Sequence, residues 1–286
     1  MPACFFATDL HGRPDRFRRL FAAIRDEAPA AVFLGGDLLP VFGHAGEAPT
    51  EGFIDDVLAA GFRALRADLG EPAPRVFLIF GNDDPRREEA ALIAAGDGLW
   101  EYAHGRRLAL GRFAVYGYAC VPPTPFRLKD WERYDVSRFV DPGCISPEEG
   151  FRTLEADAGE VRWGSIQRDL ESLAGGDDLS AAVFLFHSPP YDTPLDRAAL
   201  DTVRIDHVPA DVHVGSIAIR RFIEARRPLV TLHGHVHESA RLTGQWRTRL
   251  GPTHCFSAAH DGPELALVRF DPEDPEAATR ELLAPL

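Results

Sequence analysis

The sequence of 286 residues predicts an α/β fold, in which buried parallel strands alternate with helices. The first observation behind this prediction is a set of continuous apolar runs, which are typical of strands buried on both faces. These runs span residues 3–7, 31–34, 76–80, 181–186 and 229–232. The second observation is that helical patterns follow the first three runs, so the first third of the chain has the order βαβαβα.

Helix signals define the elements of this first third. Pro14 suits the first position of a helix, and apolar residues spaced i, i+3, i+4 and i+7 from Phe17 predict one buried helical face. A loop with Gly and Pro follows Asp37 and leads to a predicted helix near residues 53–69. Asp84-Pro85 predicts the start of a third helix, which Gly96 ends.

The remaining elements are predicted from turns and caps. Residues 107–116 resemble a hairpin with Gly111 at its turn, and a helix is expected to begin at Ser146-Pro147, where Ser, Pro and Glu fit a capping box. Further helices are predicted over residues 165–173 and from Gly215-Ser216 to about Ala225. A late strand covers residues 265–270, and Asp271-Pro272 ends it.

Two stretches lack a clear period. Residues 119–146 are rich in Pro and aromatic residues, and residues 188–211 form a long polar connection. Loops of this length in a compact domain are usually functional. We therefore predict a single domain over residues 1–286, with lid-like insertions near 119–146 and 188–211.

Charge and composition limit the classes of partner. The net charge is −13, which disfavours nucleic acid and anionic membranes as partners because both require a basic surface. No apolar stretch approaches the roughly 20 residues that span a bilayer. The N-terminus lacks a signal-peptide pattern, and the four cysteines form no CxxC pair, so a cytoplasmic location is expected. The sequence carries no signal of oligomeric state.

Each of the five apolar runs ends near a side chain that can bind a divalent metal. In open α/β sheets ligands bind at the carboxyl ends of the strands, so we expect these side chains to meet at one edge of one sheet. Their oxygen and nitrogen donors suit Mn, Fe or Zn, or a pair of these ions. The candidates are Asp9, His11, Asp37, Asn82, His187, His235 and His237.

In their order, these motifs resemble those of the calcineurin-like metallophosphoesterases. They are Asp9-x-His11, Gly36-Asp37, Gly81-Asn82, a lone His187 and Gly234-His235-x-His237. Each motif alone is weak, but five in order at strand ends are specific, and they span residues 3–237. The resemblance implies a four-layer α/β/β/α sandwich with two mixed β-sheets. It also implies two divalent metal ions (Mn, Fe, Zn or Ni), of which we favour Mn.

The resemblance also assigns roles to residues. Asp9, His11 and His237 would bind one metal, Asn82, His187 and His235 the other, and Asp37 would bridge them. Two ions bring four positive charges and the two aspartates return two negative ones, so the site would attract phosphate. A metal pair can activate a bridging water for in-line attack on phosphorus. The predicted catalytic residues are Asp37, Asn82, Asp83, Asp84 and His187.

Asp83 departs from the family pattern, which commonly has His after Gly-Asn. Two nearby cations would lower the pKa of Asp83, so we expect a weak general acid and fastest hydrolysis of esters with acidic leaving groups. Its negative charge should also disfavour dianionic monoesters. We therefore predict a phosphodiesterase that acts on a small phosphodiester. The alternatives are a phosphomonoesterase or nuclease of the same superfamily, and a catalytically silent scaffold with the same fold.

Several other polar residues have two interpretations each. Asp84 either orients the loop or caps the helix that begins at Pro85. His213 either contacts substrate or precedes an ordinary N-cap at Ser216. His233 is expected to have a supporting or structural role, because the ligand set is complete without it.

Aromatic and basic residues are also candidates for a substrate cover. They either form a lid over a nucleotide or aryl ester or merely cover the sheet edge. These residues are Phe126, Arg127, Lys129, Trp131 and Arg133. Tyr191 is a candidate for the mouth of the pocket.

Overall fold

The computed structural model describes residues 4–41, 52–70 and 73–286. The strands of this part of the chain are β1 (Cys4–Ala7), β2 (Ala31–Gly35), β3 (Arg75–Ile79), β4 (Glu101–Tyr102), β5 (Arg107–Leu110), β6 (Phe113–Tyr118), β7 (Ala182–Phe186), β8 (Arg204–Ile205), β9 (Val208–Pro209), β10 (Val230–His233), β11 (Arg247–Leu250), β12 (Thr253–Ser257), β13 (Leu265–Asp271) and β14 (Asp274–Leu283).

Within the described residues, twelve of these strands form two mixed sheets. The first has the order β14-β13-β1-β2-β3-β4, with β1 to β4 parallel and β13 antiparallel to β1. The second has the order β11-β12-β10-β7-β6-β5, with β6, β7, β10 and β12 parallel. Helices flank both sheets. The predicted α/β class with two mixed β-sheets is confirmed.

The strand ends that carry the candidate ligands come from both sheets. β1, β2 and β3 belong to the first sheet, whereas β7 and β10 belong to the second. The expectation of one edge of one sheet was therefore wrong. Aromatic side chains pack between the sheets, as Phe256 of β12 does against Phe270 of β13 at 6.0 Å between ring centroids. This packing brings the two sets of strand ends together.

The helices follow most of the sequence signals. They are α1 (Pro14–Glu27), α2 (Ala60–Leu69), α3 (Glu89–Ala95), α4 (Ala158–Trp163), α5 (Ile166–Ala174), α6 (Ile217–Arg226) and α7 (Ser239–Thr243). Pro14 begins α1 and the side chain of Ser216 caps α6, as predicted, and the side chain of Ser165 caps α5. The helix predicted at 53–69 begins with a π-helical segment, Ile54–Ala59. The loop before it includes residues 42–51, which lie outside the described part of the chain.

The hairpin prediction and the late strand are also confirmed. β5 and β6 pair antiparallel around Gly111, whose φ of +59° suits a tight turn. The helix predicted after Asp84-Pro85 starts later, with a 3₁₀ turn at Arg86–Glu88 before α3. Gly96 ends that helix as expected.

The helix predicted at Ser146 is absent, since residues 146–150 form a turn. The capping-box position is Glu149, whose backbone N–H only closes the turn onto the carbonyl of Ser146 at 3.1 Å, while the neighbouring Glu148 accepts hydrogen bonds from Tyr134 and Arg138. The backbone N–H of Phe151 then donates to the carbonyl of Arg127, at 2.8 Å, so the chain becomes extended. Long-range contacts thus override a local helix signal.

The segment 119–146 is anchored through its own buried residues. Lys129 and Glu132 form an ion pair with both side chains fully buried, and Trp131 donates its indole N–H to the carbonyl of Asp84 at 2.8 Å. Lys129 and Trp131 are therefore not free to cover a substrate, whereas Phe126 is 58% exposed. The single domain with two lid-like insertions stays a prediction. Among the described residues, no helix is both long and apolar enough to span a membrane.

Candidate metal centre

Four of the predicted ligands converge on one point. One ligand atom from each of Asp9, His11, Asp37 and His237 lies within 4.8 Å of the others. The Nε2 atoms of His11 and His237 are 3.1 Å apart, and Nε2 of His237 is 3.3 Å from Oδ1 of Asp9. Two imidazole nitrogens that face each other at this distance suit a shared cation between them.

The other three predicted ligands lie beside this group. His187 places Nε2 at 3.0 Å from Oδ1 of Asn82 and at 3.3 Å from Oδ2 of Asp37. The ring centroid of His235 is 5.3 Å from that of His187. Since Nδ1 of His187 donates to the carbonyl of Gly35 at 2.8 Å, its Nε2 points at the two oxygens.

Backbone strain is concentrated at these residues. Asp9, His11, Asp37 and His235 have φ values of +56°, +48°, +51° and +72°. Residues other than glycine rarely adopt this left-handed region, and such strain clusters at functional sites. The tight turns direct each side chain away from its strand end and into the shared cluster.

Close approach explains the glycines of two motifs. A Cβ on Gly81 would lie 2.3 Å from Oδ1 of Asp37, and one on Gly234 would lie 2.8 Å from Oδ2 of Asp9. Neither position has room for a side chain without displacing a predicted ligand.

Without bound metal, the carboxylates and imidazoles of the cluster perturb each other's pKa. Burial alone would lower the pKa of His187, but the charge of Asp37 and its hydrogen bond outweigh burial and raise it to about 10. Burial opposes ionisation of Asp9, yet the hydrogen bond and charge of His237 lower its pKa to about 2. Burial, with the charge of His187, lowers the pKa of His235 to about 3. The cluster therefore carries closely packed opposite charges.

Asp83 and Asp84 have different environments. The backbone N–H of Asp83 donates to Oδ1 of Asp37 at 2.8 Å, and the Asp83 side chain is 31% exposed. Burial and the charge of Asp37 raise the pKa of Asp83 to about 7. Asp84 is fully buried, and burial and the same charge raise its pKa to about 8. The structure thus places Asp83 beside the cluster with its side chain partly exposed, whereas the side chain of Asp84 is fully buried.

Asp84 does not cap a helix. Its carboxylate accepts hydrogen bonds from the backbone N–H groups of Leu38, Leu39 and Gly81, the shortest two at 2.8 Å. These bonds tie the turn after β2, which carries Asp37, to the turn after β3, which carries Asn82. The interpretation in which Asp84 orients the loop is the one that matches the structure.

Replacing Asp84 by asparagine should weaken metal binding about 10–100-fold, the usual effect of losing a residue that orients ligands. An asparagine side chain has one acceptor oxygen for these three backbone N–H donors, and its NH₂ group would face N–H groups from which it cannot accept a hydrogen bond. A metal-competition titration with a chromophoric chelator measures the change. Unchanged metal affinity in Asp84→Asn would contradict the orienting role, because Asn replaces Asp well only at an N-cap.

The other candidates lie around the cluster. His233 is buried, bonds to the carbonyl of Ser188 at 2.9 Å and to Thr231 Oγ1 at 2.8 Å, and stacks on Phe186. These contacts are structural, in agreement with its expected role. Tyr191 donates its hydroxyl to Asp211 at 2.7 Å.

Arg16 of α1 was missed by the sequence interpretation. Its guanidinium is buried and donates to the carbonyls of Asp9 and Gly262, the latter at 2.6 Å. It therefore supports the strained turn at Asp9. Nothing in the local sequence distinguishes it from other helical arginines, because its partners are remote in the chain.

Comparison with known proteins agrees with the fold and the motifs. Residues 5–239 match the family model of the calcineurin-like phosphoesterases, whereas no curated protein matches the chain. One crystal structure is 18% identical, with a TM-score of 0.59 over 99% of this chain and 100% of its own. Another, the protein TT1561 of Thermus thermophilus, is 16% identical, with a TM-score of 0.57 over 98% of both chains. Since the family model covers most of the sequence, the chain belongs to the calcineurin-like phosphoesterase family.

Proposed function

We propose that this protein is a phosphoester hydrolase that uses two divalent metal ions, with a small phosphodiester as its substrate. The observation that carries the proposal is the convergence of Asp9, His11, Asp37 and His237 within 4.8 Å. Membership of a phosphoesterase family supports the same reaction class.

The donor set fits two ions. The facing Nε2 atoms of His11 and His237, 3.1 Å apart, can share one proton in the metal-free protein, and a metal cation would take the place of that proton. We assign Asp9, His11 and His237 to one metal, Asn82, His187 and His235 to the other, and Asp37 to both. Such sets of oxygen and imidazole ligands accept several divalent ions. Among these ions, Mn²⁺ is our first choice.

When bound, the metal pair would activate water and neutralise charge on the phosphate. The chain's own residues would hold the site ready. Oδ1 of Asp37 accepts a hydrogen bond from the backbone N–H of Asp83. The carbonyl of Gly35 accepts the Nδ1 proton of His187 and so fixes its tautomer.

Diesters should be hydrolysed with a larger kcat/KM than matching monoesters. With both metal ions bound, their positive charge keeps Asp83 ionised, and a dianionic monoester then brings one more negative charge beside it, at a cost of about 1 kcal/mol, or roughly five-fold. Bis(4-nitrophenyl) phosphate and 4-nitrophenyl phosphate, assayed with Mn²⁺, test this preference. The matched variant Asp83→Asn should reduce the ratio, and a larger kcat/KM for the monoester would refute the proposed specificity.

A further inference from the structure

A cavity opens between residues 120–161 and the loop that follows β3. Its volume is about 450 Å³, which is within the range of small-molecule sites. Two contacts hold its walls together: the indole N–H of Trp131 donates to the carbonyl of Asp84 at 2.8 Å, and the backbone N–H of Arg86 donates to Oδ2 of Asp130 at 2.7 Å. No predicted metal ligand is among the described residues that line it, so the cavity is separate from the metal centre.

His104 contributes an N–H donor to this cavity. The backbone N–H of Ala119 donates to its Nδ1 at 3.0 Å, and since a backbone amide can only donate, Nδ1 is the acceptor and the ring proton is on Nε2. Burial, with the charges of Arg86 and Arg133, lowers the pKa of His104 to about 3, so the ring is neutral at pH 7. In the described part of the chain Nε2 has no hydrogen-bond partner, and its proton is therefore available to a ligand.

Two arginines of the cavity have N–H groups without partners. Nη1 of Arg152 donates to the carbonyl of Pro147 at 2.7 Å, and no carboxylate of the described residues pairs with this guanidinium. Arg133 contacts Asp169 through Nε at 3.0 Å and Glu160 through Nη1 at 3.3 Å, which leaves its Nη2 without a partner among these residues. A guanidinium has five N–H donors, so both arginines can still bind an acceptor.

Carboxylates also line the cavity, but five of the six in its described lining already accept a hydrogen bond. These five are Glu89, Asp130, Glu132, Asp157 and Glu160. The sixth, Glu155, is exposed. The hydrogen-bonding groups that remain open are therefore mainly donors, and they fit a ligand that is rich in acceptor oxygens.

We propose that the space lined by His104, Arg133 and Arg152, the Arg152 cavity, is a second binding site of this protein, for a small molecule that carries a phosphate group. The open donors belong to three separate side chains, and a tetrahedral phosphate offers oxygens in three directions, whereas a carboxylate offers two in one plane. The cavity is larger than phosphate alone requires, and Leu154 and Val161 in its lining can contact an organic group.

The binding test follows the imidazole NMR signals of His104 in the Zn²⁺-loaded protein, which report this cavity and not the metal centre. Inorganic phosphate at constant ionic strength should shift these signals to saturation. Arg152→Gln should weaken the binding about 10-fold or more, because a hydrogen bond to a charged group is typically worth at least that much. Arg63→Gln, at an exposed arginine of α2, is the matched control and should bind like the wild type. An unchanged His104 signal, or equal affinity in Arg152→Gln, would overturn the proposal.

A second variant keeps the test valid if Arg152→Gln does not fold. Glu155→Gln changes an exposed side chain and removes the carboxylate that has no partner in the described lining. Phosphate should then bind about two- to five-fold more tightly, because a repulsive charge is removed. Unchanged or weaker binding in Glu155→Gln would overturn the proposal.

Two further ligands identify the source of the phosphate group. Phenylphosphonate is not hydrolysed as an ester, since its phosphorus is bonded to carbon. Tighter binding of phenylphosphonate than of inorganic phosphate would support an organic phosphate as the ligand, and equal or weaker binding would support free phosphate. If benzoate, which carries the same ring on a carboxylate, bound more tightly than phenylphosphonate, the phosphate assignment would be overturned. These titrations need no turnover, so failure of the proposed hydrolase function would leave their result intact.

Discussion

Replacing Asp37 by alanine is expected to abolish phosphodiester hydrolysis. Asp37 is the carboxylate that faces both halves of the cluster, with Oδ2 at 3.3 Å from Nε2 of His187 and at 4.0 Å from Nε2 of His11. Loss of a residue that only orients a ligand costs about 10–100-fold, so loss of the bridging ligand itself should cost more than 100-fold. The variant should also bind fewer metal ions.

Two measurements check this prediction. Turnover of bis(4-nitrophenyl) phosphate is followed with added Mn²⁺, and metal content is determined by mass spectrometry after purification in chelator-free buffer. Asp55→Ala, at an exposed aspartate beside α2, is the control for loss of an acidic residue. If Asp37→Ala retained turnover, Asp37 would not be the ligand that bridges the two metal ions. Bound metal without turnover of either ester in the wild type would favour the silent scaffold.

The strands and the ligand candidates could be predicted because their signals are local. Apolar runs mark β1, β2, β3, β7 and β10, and each motif directly follows its strand. Their division between two sheets could not be predicted, since buried parallel strands of different sheets have the same composition. That division depends on pairing between remote segments, such as Cys4 of β1 with Phe270 of β13.

Elements without a strong pattern were missed or misplaced. β14 is mostly exposed and carries several charged residues, as edge strands often do, so it lacks the alternation that predicts a strand. The helix signal at Ser146 is overridden, because Glu148 binds Tyr134 and Arg138 and the backbone of Phe151 pairs with that of Arg127. At Ser146 the deciding contact, between Phe151 and Arg127, is made with a residue distant in the chain, whereas β14 pairs with its chain neighbour β13.

The supporting residues of the site show the same limit. Asp84 lies two residues after Asn82, so its position suggested a role, and only the structure decides between orienting the loop and capping a helix. Asp196 stands in no motif, although His213, its partner, was a candidate. A buried carboxylate is identified by the donors around it, and those donors come from two separate stretches of chain, residues 192–193 and 213–215.

The metal-free and metal-loaded proteins should diverge in stability as pH rises. His187 and His237 have pKa values raised to about 10 and about 9, because the attraction of Asp37 and Asp9 outweighs burial. A raised folded-state pKa contributes stability that is complete below the unfolded value of about 6.5 and is lost as pH rises through the folded value. Metal-free protein should therefore become less stable between about pH 6.5 and 10.

Metal ions should reverse this trend, because they compete with protons for the same imidazole nitrogens. Binding at pH 7 to 8 must displace the protons of His187 and His237, so affinity should rise with pH and protons should be released. At free metal about 1,000-fold above Kd, each site should add about 4 kcal/mol to the free energy of unfolding.

Urea denaturation at pH 6.5, 8 and 9.5, with chelator or with Zn²⁺, measures the divergence, and a weakly buffered indicator dye measures proton release. The variant His187→Asn removes one of the two raised imidazoles and should reduce the pH dependence of the chelated protein, with the part due to His237 remaining. Parallel pH curves with and without metal would show that metal does not bind at these histidines. Divergence that persists unchanged in His187→Asn would place the titrating group elsewhere in the cluster.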